Sequence, residues 1–229
     1  MKATSATPRN ITVRPLRVEP PAVRAAERAR IRLISCETGI AGLPIERAWD
    51  AREVFADFWT IYYTDYEPES CFVAESGGQV VGYITGCMDT ARFNRTMKSE
   101  IVPRILPKLL TTGAIVRPRN LGRMLALWRC ARRGELKEPE LSAYPAHLHI
   151  NLLDGYRADG AGSRLMQSLL NHARARGVAG IHLGSISRRA FPFFCHNGFQ
   201  ELSRRRFTLY DDILGPETDL FFMGQRIQA

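Results

Sequence analysis

The chain has 229 residues, 45% hydrophobic and 24% charged. With no internal repeat and no apolar run near the ~18 residues of a membrane helix, a solenoid, a propeller and a helical membrane span are excluded as readings. The net charge of +9 favours anionic partners such as phosphates, nucleic acid or acidic surfaces, without choosing among them.

Residues 11–17 (ITVRPLR) alternate like a strand, and Pro20-Pro21 opens a helix running to about Ser35. A loop with Gly39, Gly42 and Pro44 leads to a second helix over 46–63. Its end carries Phe58, Trp59, Tyr62 and Tyr63, with Tyr66 just beyond. CFVAE (71–75) and QVVGYITGCMD (79–89) form a hairpin across Gly77-Gly78. Residues 92–145 read as a basic helical insert within a single domain spanning 1–229. There Leu121, Met124, Leu125 and Trp128 make an apolar stripe on a helix over 120–133, a stripe that needs the rest of the protein or a partner to cover it.

Beyond the insert, AHLHINLL (146–153) is a strand, DGYRADGAG a Gly-rich turn, and 163–177 a helix with Leu165, Met166, Leu169 and Leu170 on one face and Gly177 closing it. GIHLGS (180–185) is the next strand, 187–197 a short helix, and 199–210 and 219–227 closing strands. Strand–helix–strand implies a parallel pair, so the fold class is α/β (α+β), a mixed sheet covered on both faces.

The turn carries R-x-x-G-x-G as Arg157, Gly160 and Gly162. A helix start presents unpaired N–H groups and partial positive charge, and glycines let the backbone approach a phosphate closely. Such a turn binds a pyrophosphate, with Arg157 adding a guanidinium beside it. A Rossmann dinucleotide site fits less well, since G-x-G-x-x-G is incomplete.

With these residues in place the sequence resembles the GNAT superfamily of acetyl-CoA-dependent N-acetyltransferases, over about 11–91 and 146–227. Arg157, Gly160 and Gly162 match its central Q/R-x-x-G-x-G/A. Ala190, Phe193, Gly198 and Phe199 match the later N-x-x-A-x-x-F-Y-x-x-x-G-F, with Ser187 in place of Asn and Phe194 in place of Tyr. YTDYEPESCFVAE and AHLHINLL also resemble the acetyltransferase-like domain found beside O-GlcNAcases. The resemblance implies a mostly antiparallel sheet with one splayed parallel pair. It implies acetyl-CoA as cosubstrate, its pantetheine arm bonded to the backbone at Ile150 and Leu152. Its pyrophosphate would lie on the amides of Ala158, Asp159, Gly160, Ala161, Gly162 and Ser163, with Ser187 contributing. A primary amine, small or peptidic, would attack the thioester directly in a ternary complex.

On a regular strand His147, His149 and Asn151 share one face and Leu148, Ile150 and Leu152 the other. A histidine near its ordinary pKa of about 6.5 suits proton removal near neutrality, which makes His149 the candidate base; packing between sheet and helices is the competing reading. Arylalkylamine acetyltransferases carry a His-x-His on the corresponding strand, in a register one residue different. Asn151 could only orient a substrate. Tyr62, Tyr63 and Tyr66 are candidates for the acceptor pocket, with Phe58 and Trp59 assigned to the core. Arg188 or Arg189 could reach phosphates of the cosubstrate.

Phe194 lacks the hydroxyl that many relatives use as the acid, which leaves acyl-CoA binding without catalysis, through the insert and a partner, as the alternative function. The five cysteines are odd in number, far apart and without metal or redox spacing, and the start MKATSATPRN lacks a secretory leader's apolar stretch. Free thiols, a cytoplasmic location and no metal are therefore expected, since His147, His149, His182, Cys195 and His196 fit no closed zinc site. The insert lacks any recognised nucleic-acid module, so dedicated nucleic-acid recognition is not expected, nor is a membrane partner. The stripe at 121–128 could serve a homodimer or be buried internally.

Overall fold

A computed structural model describes residues 10–157 and 159–227. Seven strands form one sheet in the order β1-β2-β3-β4-β5-β7-β6. They are β1 (Ile11–Pro15), β2 (Cys71–Ser76), β3 (Gln79–Cys87), β4 (Ala146–Leu152), β5 (Gly180–Ser185), β6 (Gln200–Arg206) and β7 (Asp219–Arg226). Every neighbouring pair is antiparallel except β4–β5. The β2–β3 turn is closed by Gly77 and Gly78 at φ +56° and +77°, the left-handed pair that a two-residue hairpin requires.

Each face of the sheet is covered. On one, α6 (Ala161–Ala175) lays Leu165, Met166, Leu169 and Leu170 against Ala146, Leu148, Ile181 and Leu183, with α7 (Phe191–His196) adding Phe194. On the other, α1 (Pro21–Thr38) packs Ile31 and Ile34 against Val73 and Tyr83. There α2 (Arg52–Ile61) runs into a wide π turn over Tyr62–Tyr66.

The insert is helical: α3 (Thr90–Thr96), a π turn over Met97–Ile101, α4 (Val102–Thr111) and α5 (Pro118–Arg132). A short α8 (Asp211–Leu214) lies between β6 and β7.

On α5 the apolar stripe is largely exposed, and other residues of the helix face the body. Leu121 is 58% exposed and Trp128 53%, while Asn120 and Cys130 are buried. Polar anchors set this rotation. Asn120 Oδ1 accepts from the Asp50 N–H at 2.7 Å, and Arg123 donates to the Leu209 carbonyl and to Asp212. Met124 and Leu127 are then turned toward the cavity described next.

Candidate active site

β4 and β5 pair only at Ala146↔Ile181 and His147↔His182. β4 continues to Leu152 paired to β3 alone, so the two parallel strands part after two residues. The orientation of the free edge follows from one bond. The Leu153 N–H donates to the Val81 carbonyl at 3.0 Å, so the odd-numbered residues of β4 turn their backbone groups toward β3. Leu148, Ile150 and Leu152 turn theirs into the gap. The Leu152 carbonyl is taken there by Arg157 Nε at 3.1 Å.

The gap opens into a cavity of about 970 Å³. Its walls are the free edge of β4, the end of β5 with Ser185 and Ser187, the end of α1 and the turn after it, α2, the insert helices and α7. Gly162 brings the wall to the start of α6. There Gly160 adopts φ +69°, a conformation an L-residue resists, and the first helical bond runs from Arg164 N to the Gly160 carbonyl. The N–H groups of Ala161, Gly162 and Ser163 therefore have no partner within the helix. Asp159 precedes them in the turn; Ala158 lies outside the described residues.

Arg157 lines the cavity but does not extend from the turn as a free cation. Besides the Leu152 carbonyl, its guanidinium reaches the Gly42 carbonyl at 3.5 Å and Asp154 at 3.7 Å. A side chain at position 42 would meet it at 3.0 Å. Arg157 thus ties the end of β4 to the turn after α1. Arg188 is held by Glu217 and Asp219. Arg189, also on the wall, has no ion-pair partner among the described residues.

The two strand histidines differ. His147 is buried, and both ring nitrogens are bonded, Nε2 with Tyr63 Oη and Nδ1 with Thr90 Oγ1, each at 2.8 Å. Burial, with His149 and His182 beside it, holds its pKa well below the usual histidine range. His149 lines the cavity, edge-on to Trp59 and Tyr63 with ring centroids 5.1 and 5.5 Å away. It makes no side-chain hydrogen bond among the described residues, and burial, then the nearby His182, lowers its pKa to about 4. The ordinary histidine pKa expected of the base is not what this environment provides. Asn151, also on the wall, donates to Tyr83 Oη at 2.9 Å.

The aromatic assignment is reversed. Phe58 and Trp59, expected in the core, line the cavity, while Tyr62 and Tyr63 are 0% and 1% exposed. One helical turn beyond Trp59 the same face of the helix meets Phe93 of α3, 4.8 Å from the Tyr62 ring and 5.8 Å from that of Tyr63. Tyr66 is spent on Glu100 and Arg104 of the insert. Trp49, Asn120 and Tyr210 also line the cavity; they come from loops and the insert, with no local pattern to mark them.

No family model matches the chain. Among solved structures, that of SsHAT superposes with a TM-score of 0.70 at 29% identity, over 96% of this chain and 99% of that one. A Drosophila melanogaster polyamine N-acetyltransferase that forms N-acetylagmatine matches with a TM-score of 0.57 at 16% identity, over 95% of this chain and all of that one. An acetyltransferase of the GNAT family from Streptococcus pneumoniae matches with a TM-score of 0.53 at 16% identity, over 96% and 100%.

Proposed function

Belonging by fold to the GNAT superfamily, the chain is, we propose, an N-acetyltransferase that moves acetyl from acetyl-CoA to a primary amine by direct attack in a ternary complex. The observation that carries this reading is the parting of β4 from β5 after His147↔His182, beside the α6 N-terminus and open to one cavity. An unpaired strand edge suits an amide-bearing arm, and unpaired helical N–H groups suit a pyrophosphate. Ile150, through both backbone groups, and Leu152, through its N–H, would hold the pantetheine arm. The amides from Asp159 to Ser163, with Ser187 and Arg189, would hold the phosphates. Acetyl-CoA brings the activated thioester; the chain's task is to place the amine against it and to manage one proton.

His149 and Asn151 are the cavity residues assigned to that task, His149 as proton acceptor and Asn151 as orienter. With a pKa of about 4, His149 is neutral at pH 7. Its pKa lies far below that of an alkylammonium, so stripping that cation would be strongly uphill. A neutral amine asks only that the ring accept a hydrogen bond.

A second reading, acyl-CoA binding without transfer, draws on Phe194, which is 5% exposed and packed on Phe193 and Phe199 with no hydroxyl to offer. A thiolate is a weak base and departs without a positioned acid, which favours transfer. Two assays test the choice. Thermal unfolding with acetyl-CoA, against NADH as control, should show stabilisation by acetyl-CoA alone, about 2.7 kcal/mol at a hundredfold excess over Kd. Free thiol should then appear only when an amine is added. Stabilisation without thiol release from any amine would leave the binding-only reading.

A further inference from the structure

What the cavity wall lacks narrows the acceptor. Among its described residues there is no Asp, Glu or Lys. Its two arginines, Arg157 and Arg189, belong to the end formed by β4, α6 and α7. The end formed by α2 and the insert carries Phe58, Trp59, Leu106 and Met124, which line the cavity and are still 39–51% exposed. Large apolar groups left this open mark a surface that a ligand or partner covers.

Carboxylates near these residues in the sequence are already engaged, among them Asp65 by Arg28 at 2.9 Å and Glu100 by Tyr66 Oη at 2.9 Å. Asp57, adjacent to Phe58, is buried and bound to Arg32 and to Lys108 Nζ, the latter at 2.6 Å. Glu53 is bound to Arg32, and Asp50 to Arg119 at 2.7 Å. A second ammonium entering here would lose its water and gain no counter-ion, which is costly.

Resting on the acetyltransferase reading, we propose that the acceptor is a monoamine on an uncharged aromatic or branched apolar body, bound as the neutral amine, and that polyamines and the lysines of basic peptides are rejected. The nitrogen lone pair forms the C–N bond at the thioester carbonyl. The C–S bond breaks with its electron pair on sulfur. The proton shed by nitrogen ends on sulfur, giving amide and free thiol with no net proton released. A cavity without a carboxylate, and a histidine too weak to deprotonate an ammonium, both favour the free base.

The test compares 2-phenylethylamine with spermidine and a lysine-rich peptide, in two arms on the full chain. In the first, CoA release is followed at pH 8. kcat/KM for phenylethylamine should exceed that for either polycation at least about tenfold, should rise with pH toward the amine's own pKa, and should fall about tenfold in Trp59→Ala through KM. In the second, calorimetry measures binding of the same probes to the protein saturated with CoA, which reads selectivity whether or not transfer occurs. Phenylethylamine should again bind at least about tenfold more tightly. Equal or better binding or turnover of spermidine or the peptide overturns the proposal while leaving acetyl transfer standing. Selective binding of phenylethylamine without thiol release from any amine supports the assigned ligand class and overturns the acetyltransferase reading.

Discussion

Gly162 stands so close to Phe193 that a Cβ built on it would lie 3.1 Å from the ring's Cε2. The last glycine of R-x-x-G-x-G therefore has a packing duty: it lets α6 start directly beneath α7. Gly160 has a different one. Its Cβ would meet only Arg164 Nη1, at 3.5 Å, but its φ of +69° penalises any side chain.

These duties separate by mutation. Gly162→Ala should cost about 1 kcal/mol of stability as Phe193 shifts, with acetyl-CoA binding retained. Gly160→Glu should abolish acetyl-CoA stabilisation by placing a carboxylate at the helix start, whereas Gly160→Ala should lose only about 1–2 kcal/mol of stability. Thermal unfolding with and without acetyl-CoA checks all three. Full affinity in a folded Gly160→Glu protein would remove the turn from the binding site.

Tyr63→Phe should destabilise by about 1–3 kcal/mol, because it leaves His147 Nε2 buried without a partner. Urea denaturation measures it. The transfer rate should be little changed if His147 is structural, since Tyr63 and His147 do not line the cavity; a large loss of kcat at unchanged stability would give that pair a catalytic part.

Acid should weaken the fold through its histidines. Burial lowers the pKa of His147, His149, His172 and His182. Above the unfolded value of about 6.5 both states are neutral and stability is complete. As pH falls below that, the unfolded chain binds protons that the fold refuses, and for His149 the loss runs down to about pH 4. The deeply buried His147 and His149 each contribute up to about 1.4 kcal/mol per pH unit in that window, the more exposed His172 less. Tm should fall by several degrees between pH 7.5 and 5, less steeply in His149→Gln. A flat profile would contradict burial of these rings.

Arg188 and Arg189 should behave oppositely. Arg189→Ala should raise the acetyl-CoA Kd several-fold, more at low salt, with Tm unchanged, since a partly exposed charge–phosphate contact is screened. Arg188→Ala should leave Kd alone and loosen the Glu217–Asp219 segment. Isothermal titration at two salt concentrations distinguishes them.

Much of this was legible along the chain. Strand alternation, the Gly77-Gly78 hairpin, the apolar face of α6 and the glycine turn before it are signals of period and backbone conformation, carried by residues a few positions apart. So was the alternation of β4, which sets the rings of His147 and His149 on one face. The sequence by itself determined those elements, because hydrogen-bond geometry and φ preferences act locally. Only the tertiary structure decided which aromatic residues meet solvent, which face of α5 docks, and how far His149 is from an ordinary histidine. Phe93 beside Tyr62, Asp50 bonded to Asn120 of α5, and His182 near the buried His149 make those decisions. Each lies more than thirty residues along the chain from the group it controls, and burial, packing and desolvation depend on what the fold brings near rather than on what the sequence places beside it.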